Sequence, residues 1–107
     1  MTFPNSTPTR LNEKFYLGDK CWIYDATFVM GRHKCRVHIC KSAFAKTSFL
    51  IGEVLDPVHL SWNQLVIRPM TPEAHCYTAL FRRPNEDIEP FRRDADSILE
   101  ELAVLLN

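Results

Sequence analysis

The amino-acid sequence predicts a mostly β domain of the α+β class: five short antiparallel strands in a small barrel or curved sheet, followed by a C-terminal α-helix. Three observations carry this prediction. Segments between residues 20 and 83 alternate apolar and polar side chains, the period of a half-buried strand. The links between them are too short for the dozen-residue crossovers that parallel strands need, so the pairing is antiparallel. The last segment changes period: Phe91, Ala95, Ile98, Leu99, Leu102, Leu105 and Leu106 recur at three- and four-residue spacing, a helical stripe wide enough to dock on a sheet.

Residues 1–14 read as a flexible arm, because Pro4, Asn5, Ser6, Thr7 and Pro8 favour turns and extended chain. Residues 15–107 read as one domain. The first strand runs from Lys20 to Met30, with Trp22, Tyr24, Ala26, Phe28 and Met30 on one face and Cys21, Ile23, Asp25, Thr27 and Val29 on the other. The aromatic face is the expected core. Gly31 breaks the run, and His33 to Cys40 alternates again, which predicts a hairpin around Met30-Gly31-Arg32. Ser48 to Leu55, Asn63 to Met70 and His75 to Arg83 supply three more strands, with Tyr77 and Phe81 facing inward on the last. Pro84 to Pro90 reads as an acidic, turn-rich link into the helix, where Asp94 and Asp96 sit early, on the end that the helix dipole favours for acids. Trp22, Tyr24, Phe28, Tyr77, Phe81, Ile98 and Leu102 form the predicted core.

A chain of 107 residues holds one domain, and its 46% apolar and 24% charged residues are those of an ordinary globular protein. The 13 basic and 13 acidic residues cancel, so no global field captures nucleic acid or an anionic membrane. Locally the charge separates. Ala26 to Gly52 holds Arg32, Lys34, Arg36, Lys41 and Lys46 and no acid. From Pro84 onward, Glu86, Asp87, Glu89, Asp94, Asp96, Glu100 and Glu101 stand against Arg92 and Arg93. These complementary segments, the open edges of a small sheet and the apolar run Val104-Leu105-Leu106 predict a homodimer. Met1 to Leu11 carries no apolar leader run and no stretch reaches about 18 apolar residues, which predicts a cytoplasmic protein with reduced thiols and no membrane partner.

The densest chemical cluster is His33-Lys34-Cys35-Arg36-Val37-His38-Ile39-Cys40, with His75-Cys76 further along. A strand points His33 and Cys35 to one side and His38 and Cys40 to the other. Zinc wants four such ligands, but no Cys-x-x-Cys spacing is present, so no metal is expected. Cys35 and Cys76 read as small core residues. Cys40 and His38 share a face, as a thiol nucleophile and its base would, without a recognisable oxyanion loop nearby. Three glycines make neither a Gly-x-Gly-x-x-Gly nor a phosphate-binding P-loop, so no cofactor is expected, and no set of catalytic residues is assigned. The remaining signal is the basic hairpin. Arg32, Lys34 and Arg36, with Trp22 and Tyr24 on the neighbouring strand, are the candidate binding residues for a protein or anionic partner; the rival reading is a solvated outer face. Nucleic acid stays open as that partner.

The run Leu17-Gly18-Asp19-Lys20-Cys21-Trp22-Ile23-Tyr24 resembles the Gly-Asp-x-x-Trp-x opening of MazF-type chains, and Gly31 to Ile39 resembles their basic, then apolar, second strand. Pro57-Val58-His59-Leu60 through Met70-Thr71, with the closing helix, is similar to CcdB. Residues 15–107 thus resemble, as a patchwork, the CcdB/MazF superfamily of bacterial toxins, small SH3-like barrels with a C-terminal helix that are usually homodimers. The resemblance implies a toxin-like protein of a toxin–antitoxin system, a ribonuclease or a gyrase inhibitor. Arg32 matches the first-loop Arg of the ribonucleases. Where they carry Ser or Thr at the end of the third strand, this chain has Leu55-Asp56, and in place of the Trp-Gly-Ile ending of CcdB it has Leu105-Leu106-Asn107. Arg32-x-x-x-Arg36 also resembles one half of the cyclic-dinucleotide motif of PilZ-type barrels, without its Asp/Asn-x-Ser-x-x-Gly half. The residues themselves favour a small non-enzymatic binding or interaction domain, with the toxin-like protein as the alternative.

Overall fold

Five strands in sequence order, β1 (Thr9–Leu17), β2 (Cys21–Met30), β3 (His33–Ser42), β4 (Phe49–Asp56) and β5 (Ser61–Pro69), form one antiparallel sheet in a computed structural model that describes residues 7–18, 21–42, 49–69 and 84–106. The helix α1 (Pro84–Leu106) lies across one face. Among the described residues the sheet is open, with β1 and β5 at its edges. The predicted strand at His75–Arg83, with Tyr77 and Phe81, lies outside the described residues.

The alternation in β2 and β3 does what its period requires. Trp22, Tyr24, Ala26, Phe28 and Met30, with Cys35, Val37 and Ile39, are buried beneath the helix together with Leu50, Val54 and Val66. From α1 the same core receives Phe91, Ala95, Ile98, Leu99, Leu102 and Ala103. Leu105, placed on the stripe by its spacing, instead faces solvent, while Leu106 packs at the core's margin. Burying such apolar side chains is the main favourable term holding the helix to the sheet, at roughly 25 cal/mol per Å² removed from water.

Two elements differ from expectation. Residues 9–14, read as an arm, belong to β1. A β-bulge between Arg10 and Asn12 interrupts the alternation, and the inward position after it is a carboxylate, Glu13. Glu13 is tolerated there because it accepts hydrogen bonds from the Tyr24 hydroxyl (2.8 Å) and from Nε and Nη2 of Arg92 on the helix (3.0 and 2.7 Å). Phe15 beside it stacks on Trp22 (centroids 5.0 Å apart) and meets Phe91 (4.7 Å), so β1 is bound to both layers. The helix also begins earlier than expected, at Pro84 rather than after Pro90. Proline is at home in the first helical position, where its missing N–H would have been unpaired anyway. Pro90 lies inside the helix and gives up one backbone hydrogen bond.

Turn chemistry sets the register. Gly31, at φ 63°, takes the left-handed position of the two-residue β2–β3 turn, and Met30 pairs with His33. In the β4–β5 turn the Asp56 carboxylate accepts hydrogen bonds from the backbone N–H groups of Val58 (2.9 Å) and His59 (3.3 Å). No described helix is long and apolar enough to cross a membrane.

Candidate functional site

Among the described residues, the sheet's second face carries no helix. Cross-strand pairing lines its side chains up in two rows that each run across all five strands. One row is Asn12, Thr27, Arg36, Glu53 and Gln64; the next is Lys14, Asp25, His38, Ile51 and Ile67. All but Ile67 line a single open groove of about 470 Å³. The bulge in the β1–β2 pairing aims Asn12 and Lys14 onto this face, and a second irregularity at Gly52/Glu53 aligns Glu53 with Gln64. Bulges re-aim side chains in this way at the margins of sheets.

Two ion pairs organise the groove. Arg36 donates from Nε to Oε1 of Glu53 at 2.9 Å, and Glu53 is 7% exposed, the buried charge of this face. The Arg36 guanidinium also stacks over the Trp62 ring, 4.3 Å from its centroid, so its plane is fixed by a hydrogen bond and an aromatic face at once. In the next row His38 Nδ1 donates to Asp25 Oδ1, and the Tyr16 hydroxyl donates to Asp25 Oδ2 (3.2 Å). Burial opposes ionisation of Asp25. The hydrogen bond and charge of His38, with the Tyr16 hydrogen bond, outweigh it and hold the Asp25 carboxyl below its ordinary range. The His38 ring stacks on Phe49 (centroids 5.7 Å apart).

The five residues proposed from sequence divide between two faces. Arg36 is half-buried in the groove, Lys34 is exposed on the same side, and Arg32 is exposed in the hairpin turn. Trp22 and Tyr24, 4% and 0% exposed, lie under the helix on the opposite side, in the core where their alternation placed them, and so not on a surface shared with the basic hairpin, which corrects their place among the binding residues. The reason is the two-residue period: Trp22 and Tyr24 are opposite Lys41 and Ile39, while Arg36 is opposite Thr27. The aromatic partner of Arg36 is Trp62, from β5. Asn12, Lys14, Asp25, Thr27, Glu53, Trp62 and Gln64 escaped the sequence reading of the site. One signal was present: Glu53 is the first acid after the acid-free stretch and sits in the strand next to the basic one.

The Cys/His cluster splits as its spacing requires. Cys35 is buried, and burial pushes its thiol up to about 11, so it stays protonated in the core. Cys40 is half-buried on the groove side with His38. Among the described residues no three His, Cys, Asp or Glu side chains gather as a metal site. His75 and Cys76 lie outside the described residues. The chain matches no protein-family model, no curated protein and no solved structure.

Proposed function

We propose that this chain is a small non-enzymatic binding domain of the cytoplasm and that its partner docks on the helix-free face of the sheet. One observation carries the reading: that face is a groove of about 470 Å³ with its polar side chains already fixed by Arg36–Glu53 and Asp25–His38. Its volume falls in the roughly 300–1,000 Å³ range of small-ligand sites. A merely solvated face would leave long side chains mobile, because exposed ion pairs hold little energy. Titration of the ¹⁵N-labelled chain with an acidic peptide and with a nucleoside monophosphate tests it. The expected result is saturable shifts at the amides of Thr27, Arg36, His38, Glu53 and Gln64. Shifts confined to α1, or none anywhere, would sink the reading.

A toxin-like protein of the CcdB/MazF kind is the second reading, and a specific arrangement favours it. His38, oriented by Asp25, has Nε2 left to take or give a proton, two residues along the strand from a guanidinium suited to phosphate. Induced expression in bacteria separates the two. A toxin arrests growth and His38→Ala releases the arrest; a binding domain leaves growth unchanged.

A further inference from the structure

We propose that Arg36 is the receiving group of an oxyanion site: a small ligand enters the groove with a carboxylate or phosphate group, two of whose oxygens bind Nη1 and Nη2 of Arg36. The inference rests on the reading of this face as a binding surface and names the chemistry that it recognises.

Arg36 is set up for this in a way that an ordinary cross-strand ion pair is not. Its single contact with Glu53 uses Nε, at 2.9 Å. The terminal nitrogens Nη1 and Nη2 have no partner among the described residues. A guanidinium bound to a carboxylate for its own sake commonly engages it through two parallel N–H···O bonds. Here one edge is spent on holding the group and the other is left open. Stacking on Trp62 fixes the plane of the fork, so little side-chain freedom remains to be lost on binding. The side chain is 37% exposed, so the open edge is reachable from the groove.

The charges around it point the same way. The two acids in the groove are both engaged, Glu53 by Arg36 and Asp25 by His38 and Tyr16. Lys14, which lines the groove, and Lys34, on the same face, have no ion pair among the described residues. The face therefore holds a surplus of cations, and a surplus attracts an anion most strongly in a recess where water is partly excluded. Thr27, Asn12 and Gln64, in the same row as Arg36, offer neutral donors to the remaining oxygens.

The test uses the whole chain, labelled with ¹⁵N, and two probes: inorganic phosphate and succinate. The Arg36 Nε–H signal and the amides of Thr27, Glu53 and Gln64 are followed at constant ionic strength. A saturable shift with either probe is expected, and the probe with the tighter curve identifies the class, phosphate or carboxylate. Arg36→Lys keeps the charge but loses the fork, and should weaken binding about tenfold or more. Lys14→Gln should weaken it less and reduce its dependence on salt. Thermal unfolding of both variants checks that the fold is retained. The proposal is overturned if neither probe gives a saturable shift, or if Arg36→Lys, still folded, binds as tightly as the parent. Failure here is separable from failure of the broader reading. If the acidic peptide or the nucleotide shifts the groove amides equally in parent and Arg36→Lys, the face is a binding surface and the oxyanion site is wrong. If nothing shifts the groove, both are wrong.

Discussion

The Cβ that Gly52 lacks would sit 2.5 Å from Cγ2 of Ile98. It would also meet Leu102 Cδ1 and Cγ at 3.2 and 3.3 Å, so this glycine is where the helix comes down onto β4. Ile98 and Leu102 are fully buried, and a β-branched side chain in a helix has almost no alternative rotamer to retreat into. Gly52→Ala should therefore destabilise the chain by about 1–3 kcal/mol, the usual cost of overpacking. Ile98→Ala should destabilise it by about 2–5 kcal/mol by leaving a cavity. The two together should cost less than their sum by at least about 0.5 kcal/mol, because the new methyl group enters the new space. Chemical denaturation of the three variants measures this, and strict additivity would mean that the two sites do not touch.

Leu60 holds φ 54° at the end of the β4–β5 turn, a left-handed conformation that costs a β-carbon-bearing residue roughly 1–2 kcal/mol. Its side chain is 76% exposed and contributes little packing in return. Leu60→Gly should thus stabilise the fold, or leave it unchanged once the extra freedom of glycine in the unfolded chain is set against the relief. Leu60→Val should destabilise it, since a β-branched residue fits that region worse. A melting temperature that falls for glycine and rises for valine would refute the assignment of strain.

How much of this was legible can be judged residue by residue. The buried faces of β2 and β3 were readable because Trp22 to Met30 alternates without interruption and each inward residue is apolar. The helix face was readable from Phe91 to Leu102 for the same reason at a different period. The strand β1 was not, because its alternation is broken by the bulge next to Leu11 and because the inward residue Glu13 is charged. Only the partners of Glu13, from β2 and from a helix 79 residues away, make that position intelligible. The groove was half legible. Local alternation implied that Arg36 and His38 share a face, but the aromatic partner of Arg36, Trp62, comes from β5, whose register with β4 shifts at Gly52/Glu53, which no local pattern announces.

Glu13 gives the fold an acid-sensitive joint. The hydrogen bond from Arg92, helped by that from Tyr24, lowers its carboxyl from 4.5 to about 2 against the opposing effect of burial. A carboxyl that binds its proton more weakly when folded adds stability wherever it is ionised in both states. That contribution is complete above pH 4.5 and is lost as the pH falls toward about 2. Because water reaches Arg92, the contribution is on the order of 1–2 kcal/mol rather than the full value of the shift. Glu13→Gln should lower stability by that amount at neutral pH and flatten the acid limb of the stability curve. Unfolding free energies measured from pH 7 to pH 2 check this, and parallel curves for parent and variant would exclude Glu13 as the titrating group.

Self-association is the last expectation, and the fold sharpens its grounds. Leu106 packs at the edge of the core, but Val104 and Leu105 are 71% and 55% exposed on the outer side of the helix. Side by side at the helix end, they form an apolar step that the chain's own sheet does not cover. Among the described residues, the basic and the acidic segments do not pair with each other. Arg36 of the basic strand bonds Glu53, while Glu101 of the acidic helix bonds Arg68 of β5, and Lys34 and Arg36 face away from the helix across the sheet. Basic and acidic surfaces on opposite sides of one molecule can meet only between molecules, and a two-fold axis would use each contact twice. Static light scattering should then give about twice the 12.5 kDa of one chain at micromolar concentration. High salt should shift the mass toward the monomer through loss of the charge contacts. Val104→Asp with Leu105→Asp should do so at any salt while leaving the melting curve of the core intact. A mass of one chain for the parent, unmoved by salt or by these substitutions, would show that neither the helix end nor the charge asymmetry is a surface of contact.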